Sequence, residues 1–239
     1  MICHSPHTGS REVTPAEEEY LEAIFTRAEG GGVTVKTSEL AKQLRVKAPS
    51  VVQMLNKLKR RRLVVYEFRT GVNLTKKGRE LAAKIVRRHK LAERLLVDVF
   101  GEELHKVHDD ACKLEHAIDD ELADKIEKTL GKPSTCPHGR PIPTANGRVP
   151  RADSIELLDV GEGKECTIIT IPEEREAVQR LISLNILPKS KIKVVEKLPR
   201  GAVLVQCGGT QVALSRGVAS QILVSGRRRR ARRRWGRGS

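Results

Sequence analysis

The stretch HDDACKLEH places His108, Cys112, Glu115 and His116 at i, i+4, i+7 and i+8. On an α-helix these positions share one face. Imidazole, thiolate and carboxylate donors together suit Fe(II), Mn(II), Co(II), Ni(II) or Zn(II), and not Ca(II) or Mg(II). A polar helix face with a small inert cysteine has the same composition. From this stretch alone the two readings stand even. A second pair, His89 and Glu93, lies upstream at i, i+4. If two helices pack antiparallel about Gly101, His89, Glu93 and His108 converge as one site. Cys112, Glu115 and His116 then form another, which Glu19 and Glu22 from an N-terminal helix can close.

These donors need helices to hold them, and the sequence supplies start and stop signals. Thr14-Pro15-Ala16-Glu17 reads as a capping box, with Pro15 at the first helical position. Leu21, Ile24, Phe25 and Ala28 give the apolar stripe of that helix, and Gly30-Gly31-Gly32 stops it. A long helix is expected over Lys76 to Val99, a second over Glu103 to Ile118, and a third capped by Asp119 or Asp120. Leu122, Ile126 and Leu130 form the stripe of the third, and Gly131 closes it.

Between the first helix and the long one lies TSELAKQLRVKAPSVVQMLNKLKRRRLVVYEFRTGVNLT. Ser38 caps a short helix to Leu44, Arg45 to Ala48 turn, and Pro49 at the first helical position opens a basic helix. This is the helix-turn-helix layout. Val51, Leu55 and Leu58 face inward, leaving Ser50, Gln53, Asn56, Lys57 and Arg60 outward. Ser, Gln and Asn can read base edges, and Lys and Arg suit phosphates. Leu63 to Glu67 and Val72 to Thr75 form a hairpin wing, with Arg69 near its tip as a backbone or minor-groove contact. Ser38 and Pro49 complete the candidate DNA face.

The charge agrees with that reading. The 239 residues hold 45 Lys+Arg against 30 Asp+Glu, a net +15. Eight arginines lie in the last fourteen residues, so the rest still carries +7. Such a surplus points to nucleic acid or another anionic surface. Aromatics are only 3%, so aliphatic side chains must build the core. Five widely spaced cysteines without a C-x-x-C pair argue against a disulfide framework and fit a reducing compartment. No membrane span or signal peptide is expected, which implies a cytoplasmic chain.

The run RRHKLAERLL, then KVHDDACKLEH, with EEYLEAI and the helix-turn-helix, resembles the diphtheria-toxin-repressor family of metal-dependent transcription regulators. The resemblance covers residues 14 to about 143. It implies that Cys112, Glu115 and His116 form the primary site and that His89, Glu93 and His108 form the ancillary one, two metals per subunit. Pro49, Ser50 and Gln53 match recognition-helix positions. Glu19 and Glu22 match carboxylate ligands of the manganese branch. The iron branch has methionine where Glu19 stands, and the manganese branch has glutamate where Cys112 stands. The ligand set is therefore a hybrid that leans towards Fe(II) over Mn(II), with Zn(II), Co(II) or Ni(II) as substitutes.

Residues 153–225 resemble the SH3-like domain of this family and of the ferrous-iron-transport A proteins. Glu174 matches one ancillary ligand of the iron branch, while Ala177 stands at the other. The expected architecture is mainly α with a small β domain. It has a disordered leader at 1–13, a winged helix-turn-helix at 14–75, and a helical dimerisation and metal-binding domain at 76–131. A linker at 132–152, an SH3-like β-barrel at 153–225 and a disordered arginine-rich tail at 226–239 follow. The implied function is a homodimeric repressor, activated by Fe(II) or Mn(II), on double-stranded operator DNA.

Two other classes stay open: a DNA-binding regulator with a structural metal, and a metal-handling protein. A metallohydrolase is disfavoured, because protein donors saturate the sites. Cys136 and His138 form a C-x-H pair in the linker, read as a structural turn rather than a metal site.

Overall fold

This computed structural model describes residues 12–28, 34–150 and 153–226. The expected leader up to residue 11 (Cys3, His4 and His7 included), the Gly30-Gly31-Gly32 stop and the arginine-rich tail from residue 227 lie outside the described residues. Two compact units share the rest. The first comprises residues to Leu91 with Lys113–Thr129 and Ile142–Val149. The second comprises Ala92–Cys112, Leu130–Pro141 and the chain from Pro150.

In the first unit, α1 (Pro15–Ala28) begins at the predicted capping box. The Thr14 N–H donates to Glu17 Oε2 at 2.8 Å, and the Glu17 N–H to Thr14 Oγ1 at 3.4 Å. α2 (Thr37–Gln43) starts earlier than expected. Its N-cap is Lys36, whose N–H donates to Glu39 Oε2 at 3.1 Å, so Ser38 lies inside the first turn and caps nothing. α3 (Ala48–Arg60) likewise takes in Ala48, moving Pro49 to the second helical position. Val51, Leu55 and Leu58 are fully buried as the periodicity required. Each contributes roughly 1.5–3 kcal/mol of burial. They share a core with Leu21, Ile24, Phe25 and Leu40.

β1 (Val64–Glu67) and β2 (Gly71–Leu74) pair antiparallel as the wing. Val35 adds a bridge to Val72. Gly71, at φ 122°, sits so close to that strand that a Cβ would meet the Val35 carbonyl oxygen at 2.5 Å. α4 (Lys76–Asp98) follows and ends before Gly101, which takes φ 69°. The helix expected from Glu103 is shorter: a turn at 104–106 precedes α5 (Val107–Leu114), and a 3-10 turn, Glu115–Ala117, continues it. Asp119 caps α6 (Asp120–Thr129) by accepting from the Leu122 N–H at 2.7 Å. The buried stripe of α6 is Ala123 and Ile126, whereas Leu122 is 43% exposed. Nearly buried Arg87 fastens α6 to α4, donating to Asp124 and Glu127 at 2.7 Å each.

The second unit centres on a six-stranded antiparallel sheet. Its strands are β3 (Ser154–Glu156), β4 (Glu165–Thr170), β5 (Lys191–Lys197), β6 (Val203–Cys207), β7 (Thr210–Leu214) and β8 (Leu223–Ser225). Their order is β3-β8-β4-β5-β6-β7, with β3 and β7 at the two ends. The expected barrel is thus described as an antiparallel sheet, bent by register shifts at Ile168/Thr170 and Val194/Glu196. α7 (Arg175–Ser183) buries Val178 and Leu181 in its core, and α8 (Arg216–Ala219) buries Ala219 there. The aliphatic composition is visible in that core, which holds no aromatic among its described members.

Candidate functional site

Among the described residues, α1 turns two neighbouring carboxylates to different partners. Glu17, fully buried, accepts from Arg61 Nη1 at 2.7 Å and lies 3.4 Å from Lys57 Nζ, so it holds the end of the recognition helix. Burial alone would raise its pKa. The Thr14 N–H, the Arg61 guanidinium and the Thr14 hydroxyl outweigh burial and lower it to about 2. Glu18, also buried, lies 2.8 Å from His116 Nδ1 and accepts from Arg88 Nη2 at 2.7 Å.

Glu19, matched to a ligand by resemblance, is exposed. The helical period explains the exchange: Glu18 is three residues from Leu21 and seven from Phe25, and so shares their inward face. The stripe itself carried this signal.

Glu22 is half-buried and joins the expected group. Glu22, His89 and Glu115 each offer a donor atom, all within 4.8 Å of one another. His89 Nδ1 is 2.6 Å from Glu115 Oε2 and 4.0 Å from Glu22 Oε1. His116 Nε2 is 3.7 Å from Glu115 Oε1. His89, assigned with Glu93 and His108 by resemblance, thus enters the Glu22–Glu115 group. Three carboxylates and two imidazoles gather here, and the Arg88 guanidinium offsets part of the charge. A divalent cation with nitrogen and oxygen preferences fits that donor set.

In the second unit, Glu93 is fully buried and His108 Nδ1 lies 3.5 Å from its Oε1. Cys112 Sγ is 3.9 Å from His108 Nε2. The expected Glu174 is the exposed N-cap of α7, and its neighbour Glu173 reaches the Glu93 group instead. Cys136 and His138 belong to that group too. Sequence reasoning found their turn and missed their neighbours.

The face expected to meet DNA is open. Pro49, Ser50, Gln53, Asn56 and Arg60 are exposed along α3, as are Ser38 and Arg69. Lys36, Ser38, Ala48, Val52, Phe68 and Arg69 line a groove between the start of α2, the start of α3 and the wing tip. The Arg69 guanidinium sits 5.7 Å from the centroid of the Phe68 ring, which is itself 72% exposed. Lys57, expected outward, is exposed too, and its Nζ lies 3.4 Å from Glu17 Oε1. No described helix is long and apolar enough to cross a membrane.

A winged helix-turn-helix joined to clustered histidine, cysteine and carboxylate donors is the class this arrangement defines. The chain belongs to the iron-dependent repressor family. Its N-terminal DNA-binding domain matches residues 12–72, its metal binding and dimerisation domain matches 75–144, and the FeoA domain matches 155–226. Iron-dependent repressor IdeR of Mycobacterium tuberculosis is 31% identical, over 89% of this chain and 98% of its own length. The diphtheria toxin repressor of Corynebacterium diphtheriae is 30% identical, over 90% and 98%. A manganese-dependent transcriptional repressor solved in complex with manganese superposes with a TM-score of 0.81 at 33% identity, covering 87% of this chain and 99% of that one.

Proposed function

We propose that this chain is a transcriptional repressor whose hold on operator DNA is activated by Fe(II) or Mn(II). Its relatives' names carry that activity, and the donor set in the first unit suits such metals. We assign sensing to Glu18, Glu22, His89, Glu115 and His116. Cys112, one helical turn before His116, is the thiolate that the family resemblance adds. A bound divalent cation supplies positive charge and a geometric tie between donors on α1 and on the 115–117 turn.

The observation that carries this reading is the divided orientation of α1. Glu18 and Glu22 face the donor cluster, while Glu17 grips Arg61 and Lys57 at the end of α3. Whatever fixes α1 therefore fixes the recognition helix. With the cluster uncompensated, its carboxylates repel one another and loosen α1. Full switching from 1:99 to 99:1 requires about 10⁴-fold tighter metal binding to the competent state, about 5.5 kcal/mol.

Two metals per subunit, a homodimer through residues 76–131 and paired half-sites on double-stranded DNA complete the proposal. Exposed Val99 and Phe100 at the end of α4 supply apolar surface for the dimer. The SH3-like character of the sheet domain belongs to the same reading.

The test is anaerobic titration of chelator-treated protein with Fe(II) and Mn(II), followed by fluorescence anisotropy on DNA selected by the metal-loaded protein. Affinity should rise steeply with one or both ions. Affinity indifferent to chelator and metal would make the metal structural.

A further inference from the structure

The groove beside the wing has three walls, and backbone hydrogen bonds tie two of them together. The Val35 N–H donates to the Val72 carbonyl at 3.0 Å, and the Val72 N–H to the Val35 carbonyl at 2.9 Å. The wing is thus fastened to the residue just before Lys36, the N-cap of α2. The Asn73 side-chain amide donates to Thr34 Oγ1 at 2.9 Å, which adds a second tie. The third wall is the first turn of α3, where Ala48 and Val52 stand one turn apart on one face. The enclosed volume is about 360 Å³. A groove built on paired backbone is shaped in advance, which spares a ligand the cost of ordering it.

Its lining is mixed in character. Ala48, Val52 and Phe68 supply apolar surface, and Lys36 and Arg69 supply two cations. Thr37 and Ser38 add hydroxyls from the first turn of α2. Among the described residues, the lining holds no carboxylate. Gln53 and Asn56, the amides suited to base edges, are not part of it. Phe68 is the most exposed of the described large apolar side chains, at 72%. Arg69, in the left-handed region at φ 71°, holds its guanidinium 5.7 Å from the centroid of that ring. The pair presents a cation on an apolar plate, and a partner that covers the plate gains its burial.

We propose that this groove takes the sugar–phosphate backbone of one DNA strand and reads its sugar as deoxyribose. The proposal rests on the reading of the chain as a DNA-binding repressor, and adds a reader of the sugar to the readers of bases. A DNA strand repeats a charged phosphate and an apolar C2′ methylene, and the groove pairs cations with apolar walls. Phe68, Val52 and Ala48 cover the deoxyribose. Lys36, Arg69 and the hydroxyls of Thr37 and Ser38 meet the adjoining phosphates, as contacts that set position on a duplex do. A ribose brings a 2′-hydroxyl against apolar walls, where it loses water without gaining a partner. That hydroxyl is the group by which proteins tell RNA from DNA. The groove continues the exposed face of Pro49, Ser50 and Gln53 on α3, so one duplex reaches both.

The experiment is anaerobic fluorescence anisotropy of the full chain, loaded with Fe(II) or Mn(II), on a duplex selected by that chain. Single ribonucleotides are stepped along each strand. One or two neighbouring positions in each half-site should weaken binding by roughly tenfold, and the others should change little. Phe68→Ala should weaken binding to the all-DNA duplex by roughly tenfold and flatten the ribonucleotide profile. Gln53→Ala should keep that profile while losing base discrimination. Lys36→Gln should lower the salt slope by about 1.

The scan on the parent chain needs no variant to fold. A flat profile there, with tight DNA binding intact, would overturn the sugar reading alone. A parent that binds no duplex with either metal would overturn the repressor reading and the groove's role with it. If Phe68→Ala leaves DNA affinity unchanged and lowers self-association in sedimentation equilibrium, the groove belongs to a second copy of the chain and the proposal falls.

Discussion

The imidazole of His116 lies 2.8 Å from the carboxylate of Glu18, a residue that the family resemblance passes over in favour of its neighbour. Glu18 is buried and Glu19 is exposed, although they are neighbours in the chain. An α-helix turns about 100° per residue, so adjacent residues serve different surroundings.

Glu18→Gln should therefore weaken the metal response, and Glu19→Gln should not. The expected shift for Glu18→Gln is a roughly 10–100-fold higher metal concentration at half-maximal DNA binding. Anisotropy titrations of both variants check this. Equal behaviour of the two would remove Glu18 from the sensing group.

Glu17 predicts a pH dependence of stability. Its pKa is held at about 2 against the ordinary 4.5. A depressed carboxylate stabilises the fold fully above the unfolded value, and that contribution is lost as pH falls from about 4.5 towards about 2. Urea denaturation of the parent and of Glu17→Gln, from pH 7 downward, should show a smaller acid-dependent loss in the variant. Parallel curves would show that Glu17 is not depressed.

On the DNA face the two kinds of contact should separate. Gln53→Ala should cost roughly 1–3 kcal/mol on the preferred sequence and relax discrimination there. Arg69→Ala should weaken binding to all sequences and lower the salt slope by about 1. Binding to selected and scrambled duplexes across a salt series reads both. A sequence-independent loss in Gln53→Ala would place it on the backbone instead.

Phe100 is 70% exposed, and Val99 beside it is 56% exposed. Phe100→Asp should shift the chain towards monomer in sedimentation equilibrium while far-ultraviolet circular dichroism stays unchanged. A dimer undiminished by this substitution would place the interface elsewhere.

Much of the local structure was legible in the chain itself. Thr14 and Glu17 announced the start of α1, Val51, Leu55 and Leu58 the buried stripe of α3, and Phe68 to Gly71 the wing turn. Caps, apolar periods and turns act through residues a few positions apart, so short windows contain their causes. Boundaries were less legible. Lys36 rather than Ser38 begins α2, because Glu39 accepts the Lys36 N–H and fixes the turn there.

The sequence by itself determined the donor types, the winged helix-turn-helix and the basic charge. Only the tertiary structure decided the partners: Glu18 with His116, His89 with Glu22 and Glu115, and the Cys136–His138 turn with Glu93 and Glu173. Donor convergence depends on how distant segments pack, and a window of local sequence does not contain the other segment. Glu93 and His138 lie far apart along the chain, yet burial leaves 3.4 Å between their polar atoms.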